Sequence, residues 1–196
     1  MKIAICLRRV PDTTAKIAIA ANGTSIDETG VKFVPNPYDE YALEAGIALR
    51  DAAGAGETVV IAFGGDAVQE TMRTALAMGV DRAVHLQGTP SADGLANARV
   101  LADHLRDGGY DLILFGKVAV DDYGQQTGAM VAELLGRPCA TAITALVIEG
   151  DARSVIYARA PGEQAKPEPE ARRVGERPGG LDDDGLEEFL RQAAVI

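Results

Sequence analysis

Thr58-Val59-Val60-Ile61-Ala62-Phe63-Gly64-Gly65-Asp66-Ala67-Val68-Gln69-Glu70-Thr71-Met72-Arg73-Thr74-Ala75-Leu76-Ala77-Met78-Gly79 is the stretch on which the architecture turns. Thr58 to Phe63 is a short, nearly continuous apolar run, the texture of a strand buried on both faces. Gly64-Gly65-Asp66 then turns the chain directly into a helix that runs to about Met78, where Gly79 stops it. Arg82 to Leu86 follows as another strand. A strand, a glycine turn, a helix and a second strand make a βαβ unit, which requires the two strands to be parallel.

The same pattern extends outward in both directions. On the amino-terminal side, Ile3 to Leu7 reads as a buried strand, and Arg8 to Pro11 leave its carboxyl end. Lys16 to Ala20 and Val31 to Val34, separated by the turn Ala21-Asn22-Gly23-Thr24, predict a small antiparallel excursion. Pro35-Asn36-Pro37-Tyr38-Asp39 breaks the chain. Asn36 suits a cap and Pro37 a first helical turn, and the helix continues to about Ala53.

On the carboxyl-terminal side, Ser91 to Arg106 predicts a helix with Leu95, Ala98, Val100, Leu101 and Leu105 inward. Leu112 to Phe115 is a strand and Gln125 to Leu135 a helix. Thr141 to Ile148 and Ser154 to Tyr157 read as two strands around Glu149-Gly150-Asp151. The fold class is therefore α/β, a mostly parallel sheet with helices on both faces, and such sheets take ligands at the carboxyl ends of their strands. Residues 1–160 form this domain. Composition changes after Ala160: residues 161–180 are polar and proline-rich like a linker, and 181–196 predict a terminal helix striped by Leu186, Phe189, Leu190 and Ala193.

The 196 residues carry a net charge of −10, which argues against nucleic acid or an anionic membrane surface as a partner. No apolar stretch approaches the roughly 20 residues of a membrane span, so no membrane insertion is expected. The opening residues have too short an apolar run for a secretory leader, and the expected location is cytoplasmic. Cys6 and Cys139 are far apart in sequence and make no metal spacing.

Three segments lie just after strands. Gly64-Gly65-Asp66 lets a ligand approach the backbone and offers helix-start amides to an anion, although a steric turn explains the glycines slightly better. Gly116 to Gly128 is unusually polar for a segment that follows a buried strand. Asp121 and Asp122 can accept from ribose hydroxyls or an adenine amino group, and Gln125, Gln126 and Thr127 can donate to phosphate. Asn36-Pro37-Tyr38-Asp39 reads on local grounds as a capping turn. His85 and His104 fall elsewhere, within a strand and a helix. No nucleophile elbow, Walker A lysine, GxGxxG, acid–base pair or metal motif is present in the sequence. The site is suited to holding a nucleotide rather than cutting a bond.

These residues resemble a known family. Asn36-Pro37-Tyr38-Asp39-Glu40 with Ala42-Leu43-Glu44-Ala45, the run Gln69 to Ala83, the loop from Gly116-Lys117 through Asp121-Asp122 to Gln126-Thr127-Gly128, and the opening Lys2 to Val10 are similar, in order, to the β subunits of electron transfer flavoproteins. The resemblance spans about residues 1 to 150. It implies an adenine-nucleotide hydrolase-like (Rossmann-like) fold and an obligate partner, an electron transfer flavoprotein α-like subunit with which an FAD is shared. It also implies AMP, or in bifurcating members a second FAD, in this chain, and the Gln-Thr-Gly ending is more like the AMP-binding members.

By position, the implied contacts are Cys6, Asn36, Pro37, Tyr38, Asp39, Phe63, Gly116, Lys117, Val118, Ala119, Val120, Asp121, Asp122, Tyr123, Gly124, Gln125, Gln126 and Thr127. Electrons are expected to enter from a flavin dehydrogenase and leave to an acceptor, with no catalytic side chain and no metal in this subunit. Asp122-Tyr123-Gly124-Gln125 departs from the family's more acidic stretch, which bears on loop shape. Beyond Ile156 the resemblance stops, and the family's following segment, expected to help dock dehydrogenases and pack on the α subunit, has no match here. The rival reading is a stand-alone adenine-nucleotide-binding module like a universal stress protein. Such a module carries a glycine-rich phosphate loop with a downstream serine that this chain lacks.

Overall fold

Alternation within one strand sets the layers of this protein. In β1 (Lys2–Leu7), Ile3, Ile5 and Leu7 pack into one apolar cluster while Ala4 and Cys6 pack into another, so both faces of the strand are buried. The computed structural model describes residues 1–143, 145–149, 152–156 and 172–173. After β1 come β2 (Arg9–Pro11), β3 (Phe33–Pro35), α1 (Pro37–Ala53), β4 (Glu57–Gly64), α2 (Val68–Met78) and β5 (Arg82–Gln87). They are followed by α3 (Gly94–Arg106), β6 (Leu112–Phe115), α4 (Thr127–Leu135), β7 (Ala145–Glu149), β8 (Ala152–Ile156) and β9 (Arg172–Arg173).

The main sheet has four strands in the order β5-β4-β1-β6, and all its pairings are parallel. Helices α1 and α2 cover one face through Leu43, Val68, Met72 and Ala75; α3 and α4 cover the other through Ala98, Leu101, Leu105 and Val131. The nearly continuous apolar runs of β1, β4 and β6 are explained by this two-sided cover. Each fully buried valine, leucine or isoleucine side chain contributes about 1.5–3 kcal/mol relative to exposure. A doubly covered parallel sheet with helices on both faces was the expected class, and it is the observed one.

Differences from the sequence reading are local. The antiparallel excursion is built from β2 and β3, with Val10 opposite Val34, and not from Lys16 to Ala20. That stretch makes a single bridge, Ile19 to Ile26, because nothing among the described residues covers it: Ile17 and Ile19 are half or more exposed. Helix α3 begins at Gly94, not at Ser91, since Ser91 and Asp93 form its cap. The Asp93 side chain accepts from the Leu95 amide, and Asn97 exchanges hydrogen bonds with the Ser91 backbone. Helix α4 begins at Thr127 and not at Gln125, because Gln125 is left-handed at φ 53.

Strand β7 likewise starts only at Ala145, after a left-handed Ala142 at φ 55. The β7–β8 hairpin pairs Glu149 with Ala152 across the expected turn. Arg172–Arg173, inside the expected linker, pairs with Val155 and Ser154 of β8. The remainder of the expected linker and the expected terminal helix lie outside the described residues. No described helix is long and apolar enough to cross a membrane.

Candidate functional site

The chain lays down β1, β4 and β5 in one direction, then crosses to place β6 on the other flank of β1. The order therefore reverses between β1 and β6. Loops leaving neighbouring strands diverge at such a point and open a crevice at the strands' carboxyl ends. The residues that leave those two strands are Arg8 and Gly116, and the start of α1 sits between them.

Asp39, in the first turn of α1, ties the two strand ends together. Its Oδ2 accepts from the Arg8 amide at 2.8 Å and its Oδ1 from the Gly116 amide at 3.1 Å. The carboxyl is 6 % exposed, and burial pushes it up to about 7 while the two amides pull the other way. Gly116 is required by this close approach: a Cβ there would stand 2.6 Å from the Asp39 nitrogen and from the Tyr38 carbonyl carbon.

Asn36 occupies the cap position of α1, but its side chain makes no cap hydrogen bond. It turns instead to the loop after β6, donating to the Val118 carbonyl at 2.9 Å and accepting from the Val120 amide at 3.2 Å. The expected capping turn is thus a loop clamp. A buried amide with both ends satisfied fixes the backbone it bonds.

Past Val120 the loop changes character. Tyr123 and Gln125 are both left-handed at φ 53, a region that residues with a Cβ adopt infrequently. Arg8 reaches across the crevice to this loop, with Nη2 2.9 Å from Asp121 Oδ2 and Nη1 2.6 Å from Asp122 Oδ2. Burial holds the Asp121 carboxyl above the usual range. At Asp122 burial also pushes upward, but the Gly124 amide and Arg8 outweigh it and hold that carboxyl below the usual range.

The crevice has a volume of about 1370 Å³. Of the expected contact residues, Cys6, Tyr38, Asp39, Phe63, Gly116 to Asp122, Gln125, Gln126 and Thr127 line it. Asn36, Pro37, Tyr123 and Gly124 do not: Asn36 is buried behind the loop, and the Tyr123 ring is 64 % exposed. Cys6 forms part of the floor, and burial together with the charge of Asp39 pushes its thiol up, so it stays protonated. Gly64, Gly65 and Val68 at the start of α2 line the same space, as do Leu101 of α3 and Phe115. His85 instead bonds the Gly64 carbonyl from β5, and His104 lies in α3 beside Tyr110.

The arrangement offers apolar walls from Phe63, Leu101 and Phe115, acceptors at Asp121, and helix-start amides at α2 and α4. Apolar walls with a few convergent polar groups suit a planar base carrying a phosphorylated sugar. Among the described residues no cluster of histidine, cysteine and carboxylate side chains has the arrangement of a metal site. Arg8, directly after β1, is among the strand-end positions where the sequence directs attention, but its partners Asp121 and Asp122 come from the structure.

Residues 23–166 match the family described as "Electron transfer flavoprotein domain". Among curated proteins, the chain is 41 % identical over 150 residues to an electron transfer flavoprotein subunit beta of Syntrophomonas wolfei, covering 76 % of this chain and 59 % of that one. It is 37 % identical over 150 residues to the same subunit of Bradyrhizobium diazoefficiens, covering 76 % and 60 %. To the subunit of Homo sapiens it is 36 % identical over 155 residues, covering 77 % and 61 %. The chain thus spans about three fifths of the length of these curated relatives. The family match runs to residue 166, past Ile156 where the resemblance in motifs stops.

Proposed function

This chain belongs to the electron transfer flavoprotein family, and we propose that it is the nucleotide-binding half of a heterodimeric flavoprotein that carries electrons from a dehydrogenase to an acceptor. The observation that carries the reading is the family match over residues 23–166, which takes in Asp39, Phe63 to Gly65 and Gly116 to Asp122 of the crevice lining. Relatives that share 36–41 % identity bear the name electron transfer flavoprotein subunit beta. On this reading the partner is an α-like subunit, the electron donor is a flavin dehydrogenase, the complex resides in the cytoplasm, and residues 1–160 are the nucleotide-binding unit. The chain is a carrier subunit and not an enzyme.

The flavin shared with the α-like subunit supplies the redox chemistry when bound. This chain's own residues bind and orient. The crevice at the β1–β6 reversal suits AMP: Phe63, Leu101 and Phe115 give it apolar walls, and Asp121, Gln126 and Thr127 bring hydrogen-bonding side chains to it. Phe63, Leu101 and Phe115 would flank the base. Asp121 would accept from the ribose or the base, and Gln126, Thr127 and the amides opening α4 would hold the phosphate. Asp39, Asn36 and Gly116 keep the strand ends and the loop in position for this. A second FAD in the same crevice is the finer alternative. The stand-alone adenine-nucleotide module is disfavoured by the family match.

The test is to purify the full chain, alone and co-expressed with its α-like partner, denature each preparation, and identify the released nucleotide by chromatography and mass. AMP from this chain, with FAD only when the partner is present, is the expected result. FAD from this chain alone redirects the crevice to a second flavin. No nucleotide in either preparation contradicts the assignment of the crevice.

A further inference from the structure

Arg8 has no part in the binding roles assigned above; it bridges to Asp121, which the nucleotide reading uses as an acceptor, and to Asp122, which that reading leaves without a role. Arg8's main chain is anchored on both sides: its amide donates to Asp39 at 2.8 Å and its carbonyl accepts from the Asn36 amide at 2.8 Å. From that fixed base the guanidinium leaves β1, spans the opening, and takes one carboxylate on each terminal nitrogen, at 2.9 Å and 2.6 Å. A planar fork can hold two carboxylates at once, which a lysine ammonium does poorly.

The other end of the bridge is a loop with a firm base and a weakly fastened tip. Asn36 fixes Val118 and Val120, and α4 fixes the loop from Thr127 onward. Between them, the Tyr123 amide bonds Ala119 at 2.9 Å and the Gly124 amide bonds Asp122 at 2.8 Å, both within the loop itself. Among the described residues, the ion pairs and hydrogen bonds that tie 121–125 to another element are those to Arg8. The tip also carries two left-handed residues, Tyr123 and Gln125, and backbone in that region persists only where its surroundings hold it. Arg8 is 43 % exposed along its side chain, so its pairs are weak enough to open and sensitive to salt.

We propose that Arg8 is the latch of the crevice, a positioning residue whose two ion pairs hold the loop tip at 121–125 across the β1–β6 opening and so set the rate at which an adenine nucleotide leaves. The inference rests on the crevice being the nucleotide site. A latch and a ligand cation make opposite predictions. If Arg8 served instead to attract the phosphate, Asp122 would compete for it, and removing that carboxylate would strengthen retention.

The experiment follows the dissociation of labelled AMP from the full chain, in wild type, Arg8→Ala, Arg8→Lys and Asp122→Asn, which leaves the nucleotide acceptor Asp121 in place. For exposed ion pairs of this kind the latch predicts that Arg8→Ala accelerates release about five- to tenfold and Arg8→Lys less. Asp122→Asn accelerates release by less than Arg8→Ala, since the pair to Asp121 survives, and combining it with Arg8→Ala adds little. Raising salt accelerates release from wild type but leaves Arg8→Ala unchanged. Slower release from Asp122→Asn, or equal release from wild type and Arg8→Ala, overturns the latch.

Hydrogen exchange on the nucleotide-free chain judges the latch even if AMP does not bind, an outcome that would sink the nucleotide reading alone. The Tyr123 and Gly124 amides must exchange several-fold faster in Arg8→Ala, with β1 and β4 unchanged. Unchanged exchange at those two amides contradicts the latch.

Discussion

At the amino-terminal end of β4, Arg50 donates through Nη1 to the Thr58 hydroxyl, the Gly79 carbonyl and Asp81, and Asp81 accepts in turn from the Thr58 amide at 2.8 Å and the Thr58 hydroxyl at 2.7 Å. At the carboxyl-terminal ends of β1 and β6, Arg8 meets Asp121 and Asp122 across open space. The two clusters use the same residue types on the same sheet. In the first, every polar group lies against an element it helps to close, and the Thr58 hydroxyl and amide hold the Asp81 carboxyl down to about 2. In the second, strands that diverge leave a cleft, a buried Asp39 is pushed up to about 7, and the arginine spans a gap. An arginine–aspartate pair does not signal function by itself; the topology around it determines whether it is a knot or a gate.

The largest effect that separates the two ends is expected at Asp39. Asp39→Ala leaves the Arg8 and Gly116 amides without their acceptor and should cost about 2–3 kcal/mol in urea denaturation. It should also abolish nucleotide retention, because the strand ends then lose their tie. Full retention in a folded Asp39→Ala chain would break the comparison. Asp81→Ala should cost about 1–2 kcal/mol by the same measurement, since the Thr58 amide and hydroxyl lose a shared acceptor, but nucleotide content should stay at the wild-type level.

The pH dependence should run in opposite directions at the two ends. Asp39 sits above its ordinary value in the folded chain, so its contribution is present below about pH 4 and is lost as pH rises towards 7. The stability advantage of wild type over Asp39→Asn should therefore shrink between pH 4 and pH 7; a flat difference would show that the buried carboxyl titrates elsewhere. Asp81 lies below its ordinary value. Its contribution is present above about pH 4 and is lost as pH falls towards 2, so the advantage over Asp81→Asn should fade only in acid. The smallest stability effect belongs to Arg8→Ala, within about 1 kcal/mol, although its loop and its nucleotide exchange should change.

Much of this was legible in sequence, for identifiable reasons. The runs Ile3 to Leu7, Thr58 to Phe63 and Leu112 to Phe115 announce strands covered on both faces, and Gly79 ends its helix in a left-handed turn as expected. Gly116 to Thr127 stands out because so polar a segment follows a buried strand. What did not show is long-range pairing. Asn36 reads locally as a cap, and only the structure brings Val118 and Val120, more than eighty positions away, to its side chain. Arg8 reads as a strand-end position where a site is expected, but its partners at Asp121 and Asp122 become visible only when β6 lands beside β1. The excursion at Lys16 to Ala20 misled because a short apolar run says nothing of what covers it.

The central claim is that ligand binding belongs to the β1–β6 end of the sheet. An isotope-labelled full chain titrated with AMP and followed amide by amide tests it directly. The account predicts that shifts gather at Leu7, Arg8, Asp39, Gly65 and the loop from Gly116 to Thr127, with Arg50, Thr58 and Asp81 silent. Shifts centred on Thr58 and Asp81, with the Gly116 to Thr127 amides unmoved, would contradict it.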